Sequence, residues 1–413
     1  MSRKIFGIAK FGNLPNNWKV AKISTLLDQG VIVSHLDGNH GAEYPRSDEF
    51  VNSGVPYISA NAIISGKVDF TKAKFLTSKR SDQIRKGIAK NGDVLFAHNA
   101  TVGPVAILET QEPRVILGTS LTYYRCNTNE LNNLYLKAFI ESDLFRKQYA
   151  PIMAQSTRNQ IPITTQRTFY LVLPPLPEQR KIAEILSTWD EAIAKTGQLI
   201  AALQARKQGL MQRLLTGEVR FPGFEGEWRE VEIQDIAKVI MGQSPGSSAY
   251  NESRIGVPLI QGNADISNRL TTPKVFTSEI TKQCDIGDII LSVRAPVGET
   301  AMSVHKACIG RGVCAIRAEM CDSHFLYHLL VFHEPRWQQY AQGSTFTAIN
   351  STDIRKFSLS IPQANEEQRR IAQIFDLCDT EIKLYQQNLA ALQQQKKGLM
   401  QRLLTGEVRV RVD

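Results

Sequence analysis

Cysteine is scarce in this 413-residue chain, and its six cysteines are scattered. Cys126, Cys284, Cys308, Cys314, Cys321 and Cys378 form no C-x-x-C pair, so no disulfide framework is implied and reduced thiols are the default. The run Cys308, Cys314, Cys321, His324, His328 has the residue types of a zinc site but not the tight paired spacing. Ile116 and Thr122 stand where the other half of the chain would repeat Cys308 and Cys314, so packing is the expected role and no metal is expected. Long apolar runs are also missing. Nothing approaches the ~20 residues of a membrane span, and Met1–Gly7 lacks the apolar core of a signal peptide, so a cytoplasmic location is expected. Catalytic signatures are missing as well. There is no G-x-x-x-x-G-K-[ST], no G-x-G-x-x-G and no H-E-x-x-H. Leu173-Pro174-Pro175-Leu176 lacks the amide or carboxylate that an Asn/Asp-Pro-Pro-Tyr/Phe motif uses to hold an adenine amino group, so a self-contained nuclease or methyltransferase is not expected.

What is present is a globular composition, 42% hydrophobic, with Lys and Arg exceeding Asp and Glu by 49 to 40. The length suits two to four domains, and the net charge of +9 leans toward a polyanionic partner without requiring one.

An internal repeat organises the chain. Residues 178–220 and 367–409 align without a gap at an offset of 189, with about 26 identities in 43 positions. Apolar residues in the first copy recur at alternating three- and four-residue steps: Ile182, Leu186, Trp189, Ile193, Ile200, Leu203, Leu210 and Leu214. The second copy gives Ile371, Phe375, Cys378, Ile382, Tyr385, Leu389, Leu392, Leu399 and Leu403. This is a heptad seam, and each helix needs a partner. Proline-containing segments before Glu178 and Glu367, and Thr216-Gly217 and Thr405-Gly406 after, mark the expected ends. About 38 helical residues span roughly 57 Å, so these are rods. An antiparallel pair is the simplest arrangement. Lys207 and Lys396, matched in the two seams, either fix its register or bend outward to solvent.

The segments before the rods repeat more weakly. Trp18-Lys19 corresponds to Trp228-Arg229, Gly54-Val55-Pro56 to Gly256-Val257-Pro258, Gly92-Asp93-Val94-Leu95 to Gly287-Asp288-Ile289-Ile290, Val102-Gly103 to Val297-Gly298, and Gly118 to Gly310. Short β-rich runs such as 94–97, 104–108 and 289–293 suggest a mixed sheet, with amphipathic helices expected over 134–149 and 325–340. The expected fold is α+β: two similar domains over 1–175 and 218–363, separated by helical spacers over 176–217 and 364–413, paired as an antiparallel coiled coil with pseudo-two-fold symmetry. The closing Thr405–Arg409 repeats the segment that leads into the second globular region, as in a chain cut from a circle, and predicts neighbouring ends.

The E-Q-R-x-I-A opening and K-x-G-L-M-Q-R-L-L-T-G-E-V-R closing of each rod resemble the specificity subunits of type I restriction-modification enzymes, and the resemblance extends over essentially the whole chain. It implies two target recognition domains, each reading one half of a bipartite site in double-stranded DNA, with the rods setting the gap. It also implies two methylation subunits, which carry S-adenosylmethionine and methylate adenine at N6. Restriction subunits using ATP and Mg are implied in the full complex. No cofactor and no catalytic residue is expected in this chain.

Loops after strands are the candidate DNA contacts, because phosphates are held by Lys and Arg and base edges by Arg, Lys, Asn, Gln, Ser or Thr. In the first reader these are Lys67, Lys72, Lys74, His98, Asn99, Thr101, Ser156, Thr157, Arg158, Asn159 and Gln160. In the second they are Gln261, Asn263, Lys274, Arg294, Arg311, Ser344, Thr345 and Thr347. Arg294 matches Asn99, an exchange between two base-reading residue types. The heptads alone also allow a coiled-coil scaffold that binds only proteins.

Overall fold

The computed structural model describes residue 11 and residues 14–39, 41–155, 159–337 and 348–412. The chain divides into two compact units, one made of Met1–Gln198 with Gln387–Asp413 and the other of Leu199–Gln386. Each holds one α+β reader and a stretch of both rods, so the rods are shared between units and do not form one of their own.

In the first unit a four-stranded antiparallel sheet runs in the order Val105–Ile107, Val94–Ala97, Leu121–Cys126, Ile32–Asp37. Its central strand is buried on both faces because alternate side chains feed different cores. Val94 and Phe96 face the helices, while Leu95 and Ala97 face a core shared with the second sheet. That second sheet is mixed, as expected. Val115–Leu117 pairs parallel with Val55–Ile58 and antiparallel with Ile88–Ala89. The helix expected over 134–149 is instead two, Asn133–Glu141 and Asp143–Gln155. Ser142, extended at φ −73°, ψ 156°, breaks it; its hydroxyl donates to the Phe139 carbonyl (2.6 Å) and so satisfies an end of the first helix.

The second unit repeats this plan. Ile289–Ser292 sits inside a six-stranded sheet, with Ile289 and Leu291 in one core and Ile290 in another. Val257–Ile260 pairs parallel with Ala307–Ile309 in a separate five-stranded sheet. The helix expected over 325–340 is Ser323–Phe332; after a turn at His333 the chain is helical again from Glu334, with Pro335 in the first turn, where a missing N–H costs nothing. Residues 338–340 of that expectation lie outside the described residues.

The rods are the helices Leu176–Leu214 and Asn365–Leu404. Every expected seam residue is buried or half-buried. Within the first unit they run antiparallel, since Lys396 bonds Asp190 while Arg409 bonds Glu178. Within the second, Lys207 holds Asp379 (2.6 Å to Oδ2) and Arg206 pairs with Glu381. Asp379 is Asp190 shifted by 189, just as Lys396 is Lys207. Both seam lysines therefore cross to the opposite rod and do not bend outward.

The motifs flanking the rods act as clamps. Buried Glu178 accepts from Arg409 Nη2 (2.6 Å) and Trp18 Nε1 (3.2 Å), while buried Glu367 takes Arg220 through both carboxylate oxygens (2.8 and 2.7 Å). The neighbouring Gln179 and Gln368 accept from the Asn132 and Asp322 amides and donate to the Pro174 and Pro362 carbonyls. Gly406, at φ +70°, packs so closely on Pro15 that a Cβ would fall 2.4 Å from the ring. Val408, Val410, Phe11 and Trp18 share one core, so the segment after the second rod lies against Phe11, Pro15 and Trp18, in keeping with the circular repeat.

Candidate nucleic-acid interface

The repeated Gly-Asp anchors are structural. Asp93 is buried, accepts from the Lys90 amide (2.8 Å), and holds Arg125 through two bonds of 2.9 and 2.7 Å. Asp288 does the same with the Asp285 amide and Arg317. These charge-assisted pairs hold both guanidinium pKa values above the ordinary range. They also fix the strands Val94–Ala97 and Ile289–Ser292, whose far ends launch the loops of interest.

In the second unit four loops meet at those ends. The Val293 amide donates to Gly312 (2.9 Å), setting Arg294 beside the turn that carries Arg311. Gly310 donates to Ile260 (2.8 Å), and a Cβ on Gly312 would fall 2.0 Å from the Gln261 carbonyl, so the turn packs directly on the Gln261–Asn263 segment. Asn263 Nδ2 donates to the Pro296 carbonyl (3.1 Å), which also accepts from Ser292 Oγ (2.9 Å). The Arg311 amide donates to Ser244 Oγ (3.1 Å). Gln261, Asn263, Arg294 and Arg311 thus share one built surface. Lys274 stands apart, between the strands Leu270–Thr271 and Val275–Thr277.

The first unit repeats this backbone. His98 donates to Ser120 (3.0 Å), Gly118 to Ile58 (2.7 Å), and Ile161 to His98 (2.8 Å), matching Val293 to Gly312, Gly310 to Ile260, and Ile349 to Val293. Asn99 bridges Gln160 as Arg294 bridges Ala348. Asn99 and Arg294 are therefore structurally equivalent, as are Thr119 and Arg311, and Asn61 and Asn263. Sequence reasoning passed over Asn61 and Thr119. The signal was available, since each stands as far from its glycine or proline anchor as its partner does.

His98 faces inward, 1% exposed, with Nδ1 bonded to the Ile161 carbonyl (3.0 Å) and Nε2 3.6 Å from Asp37. Beside it Gln166 joins Tyr124, His35 and Thr122 in a buried polar network, where burial pulls the His35 pKa down to about 3. Thr101 and Asn159 are exposed beside Asn99, with Asn159 accepting from the Ala100 amide (2.8 Å). Lys67, Lys72 and Lys74 belong to the excursion between Val55–Ile58 and Leu76. Lys67 lines a groove of about 880 Å³ against the rods, and the Lys74 ammonium lies 4.7 Å from the Phe50 ring. Ser156, Thr157, Arg158, Ser344, Thr345 and Thr347 lie outside the described residues.

The cysteine and histidine run is dispersed. Cys308 and Cys314 are buried in separate strands, Cys321 points to the Ile236 carbonyl, and His324 and His328 each take one oxygen of Asp376 on the second rod. Burial pushes the Cys314 and Cys321 thiols up to about 12. Among the described residues no three His, Cys, Asp or Glu side chains are grouped to hold a metal, and no helix is long and apolar enough to cross a membrane.

Residues 17–205 and 225–394 each match the family described as Type I restriction modification DNA specificity domain. The sequence assigned to the type I restriction enzyme MjaX specificity subunit of Methanocaldococcus jannaschii is 32% identical over 426 residues, covering 98% of this chain and 97% of that one. A chain from a structure on complex assembly and conformational transition of the type I R-M system superposes with a TM-score of 0.63 at 26% identity, over 96% of this chain and all of that one. The type I restriction-modification S subunit from M. genitalium, at 16% identity, shares the fold with a TM-score of 0.60, over 95% of this chain and 98% of its own.

Proposed function

The chain belongs to the type I restriction modification DNA specificity family, and from that premise we propose that it is the non-catalytic specificity subunit of a restriction-modification complex, each reader contacting one half of a divided DNA site. The rods set the gap between the halves and dock two methylation subunits. Those subunits carry S-adenosylmethionine and methylate adenine at N6; restriction subunits with ATP and Mg complete the complex. This chain contributes recognition and supplies no cofactor. Phosphates are held by the exposed lysines and arginines of the loops, and base edges by the clusters around Asn99 and Arg294.

One observation carries this reading. Three backbone hydrogen bonds and one bridge that shape the loop cluster recur in the two units, while the side chains presented there differ: Asn99 against Arg294 and Thr119 against Arg311. A duplicated frame with an unduplicated surface is what two readers of different sequences require. The same observation favours DNA reading over a scaffold that binds only proteins, for which matched loop frames have no use. The test is to map methylated adenines in cells carrying the chain with its methylation subunits. A motif of two dissimilar halves with a fixed gap is expected, and an undivided motif would overturn the assignment.

A further inference from the structure

The two loop clusters differ in one chemical respect. Arg294 and Arg311 are both exposed, and neither makes an ion pair among the described residues. Their backbones sit on adjacent loops tied by the Val293–Gly312 bond and braced by Ser244, Asn263 and Ser292. At the same two places the first unit has Asn99 and Thr119, so neither equivalent position carries an arginine. Among the described residues the one bond made by either guanidinium is Arg311 Nε to Ser244 Oγ (3.4 Å), which leaves both with donors to offer a ligand's acceptors. An arginine fork fits the O6 and N7 acceptors of guanine in the major groove, whereas asparagine fits the N6 and N7 edge of adenine.

We propose that Arg294 and Arg311 are specificity-determining residues that each read a guanine, so that the half-site read by the second unit contains two guanines contacted through N7 and O6. The half read by the first unit is contacted at the equivalent places by uncharged groups, Asn99 and Thr119. This rests on the half-site reading above.

The test uses the full chain assembled with its methylation subunits. Wild-type, Arg294→Gln and Arg311→Gln complexes are compared by mapping methylated motifs across a genome. Each variant should become degenerate at one guanine, both guanines lying in the same half, with the other half and the gap intact. In parallel, the wild-type complex is bound to duplexes in which each guanine of the motif in turn is replaced by 7-deazaguanine, which lacks the N7 acceptor. Affinity should fall about 5- to 150-fold at two positions of one half. The matching glutamine variant, which can offer N7 a single amide donor but no fork, should lose less than the wild type from the same replacement. The duplex measurement needs no variant, so a folding defect cannot mask the result. An unchanged motif with affinity lowered equally for all sequences would mean that the guanidiniums hold phosphates, and would overturn the proposal. Insensitivity to 7-deazaguanine would do the same. Should the wild-type motif prove undivided, the half-site reading itself is what falls.

Discussion

At the scale of single residues, the side chains that repeat are the ones that hold the frame. Glu178, Gln179, Asp93 and their counterparts Glu367, Gln368 and Asp288 are buried carboxylates and amides that tie reader strands, loops and helix starts to one another and to the segments beyond the rods. Replacing Asp93 by Ala leaves Arg125, a partly buried guanidinium, without its carboxylate partner. We expect about 3 kcal/mol of lost stability in urea unfolding, with Arg125→Met in the same chain recovering part of it. His35 gives a pH signature. It is held neutral, its pKa drawn from 6.5 to about 3, so between these values the unfolded chain binds more protons than the folded one. Stability from this group is complete above pH 6.5 and declines as pH falls through that window, by about 2 kcal/mol at pH 5. Thermal melts at pH 7 and pH 5 should differ less in His35→Gln than in the wild type; an equal difference would remove His35 as the source.

At the scale of elements, the rods carry the clearest pattern. Lys207 and Asp379, and their counterparts Lys396 and Asp190, are half-buried pairs spanning opposite rods. Asp379→Lys places two ammoniums together and should destabilise the second unit by about 1–2 kcal/mol, and adding Lys207→Asp should restore most of it. Absence of rescue would show that the pair does not set the register. The period and the ends of these helices were legible in the sequence, because a heptad seam is a local pattern repeated many times, whereas the direction taken by Lys207 and Lys396 needed the opposite rod to be in place. The break at Ser142 was not. The run 134–149 keeps its apolar spacing across the break, and only a serine hydroxyl turned back on the Phe139 carbonyl separates the two helices. Alternate burial in 94–97 was equally hidden, since a strand with cores on both faces shows no alternation to read.

At the scale of the whole molecule, the duplicated plan and its family were readable from the rod motifs, whereas the loop surface was readable only in part. Asn99 and Arg294 were paired because a nearby repeat aligns them, and the structure sets them at equivalent bridges. His98 next to Asn99 could not be recognised as inward-facing, because the sequence does not reveal which side of a strand end meets Ile161 and Asp37. Asn61 and Thr119 are small neutral residues with no signal of their own, and only the matched backbone bonds set them at the places of Asn263 and Arg311. Two predictions belong at this scale. Adding one helical turn, about four residues, to both rods should widen the gap in the methylated motif by about two base pairs and leave both halves unchanged. An unmoved gap would remove the spacer role. Grafting residues 1–175 from a relative should alter one half-site only, and a change in both would show the readers to be interdependent.

The sharing of both rods has a bearing on how the protein folds. The second unit is one unbroken stretch, Leu199–Gln386, whereas the first needs Gln387–Asp413 to complete its share of the rods. The seam residues Ile182 and Leu186 share a core with Leu403, a contact of long sequence separation, whereas the contacts within the second unit are all encoded in one stretch. Pulse proteolysis of a chain truncated after Gln386 should cut within 182–198, whose partner stretch is then missing, while 199–386 resists.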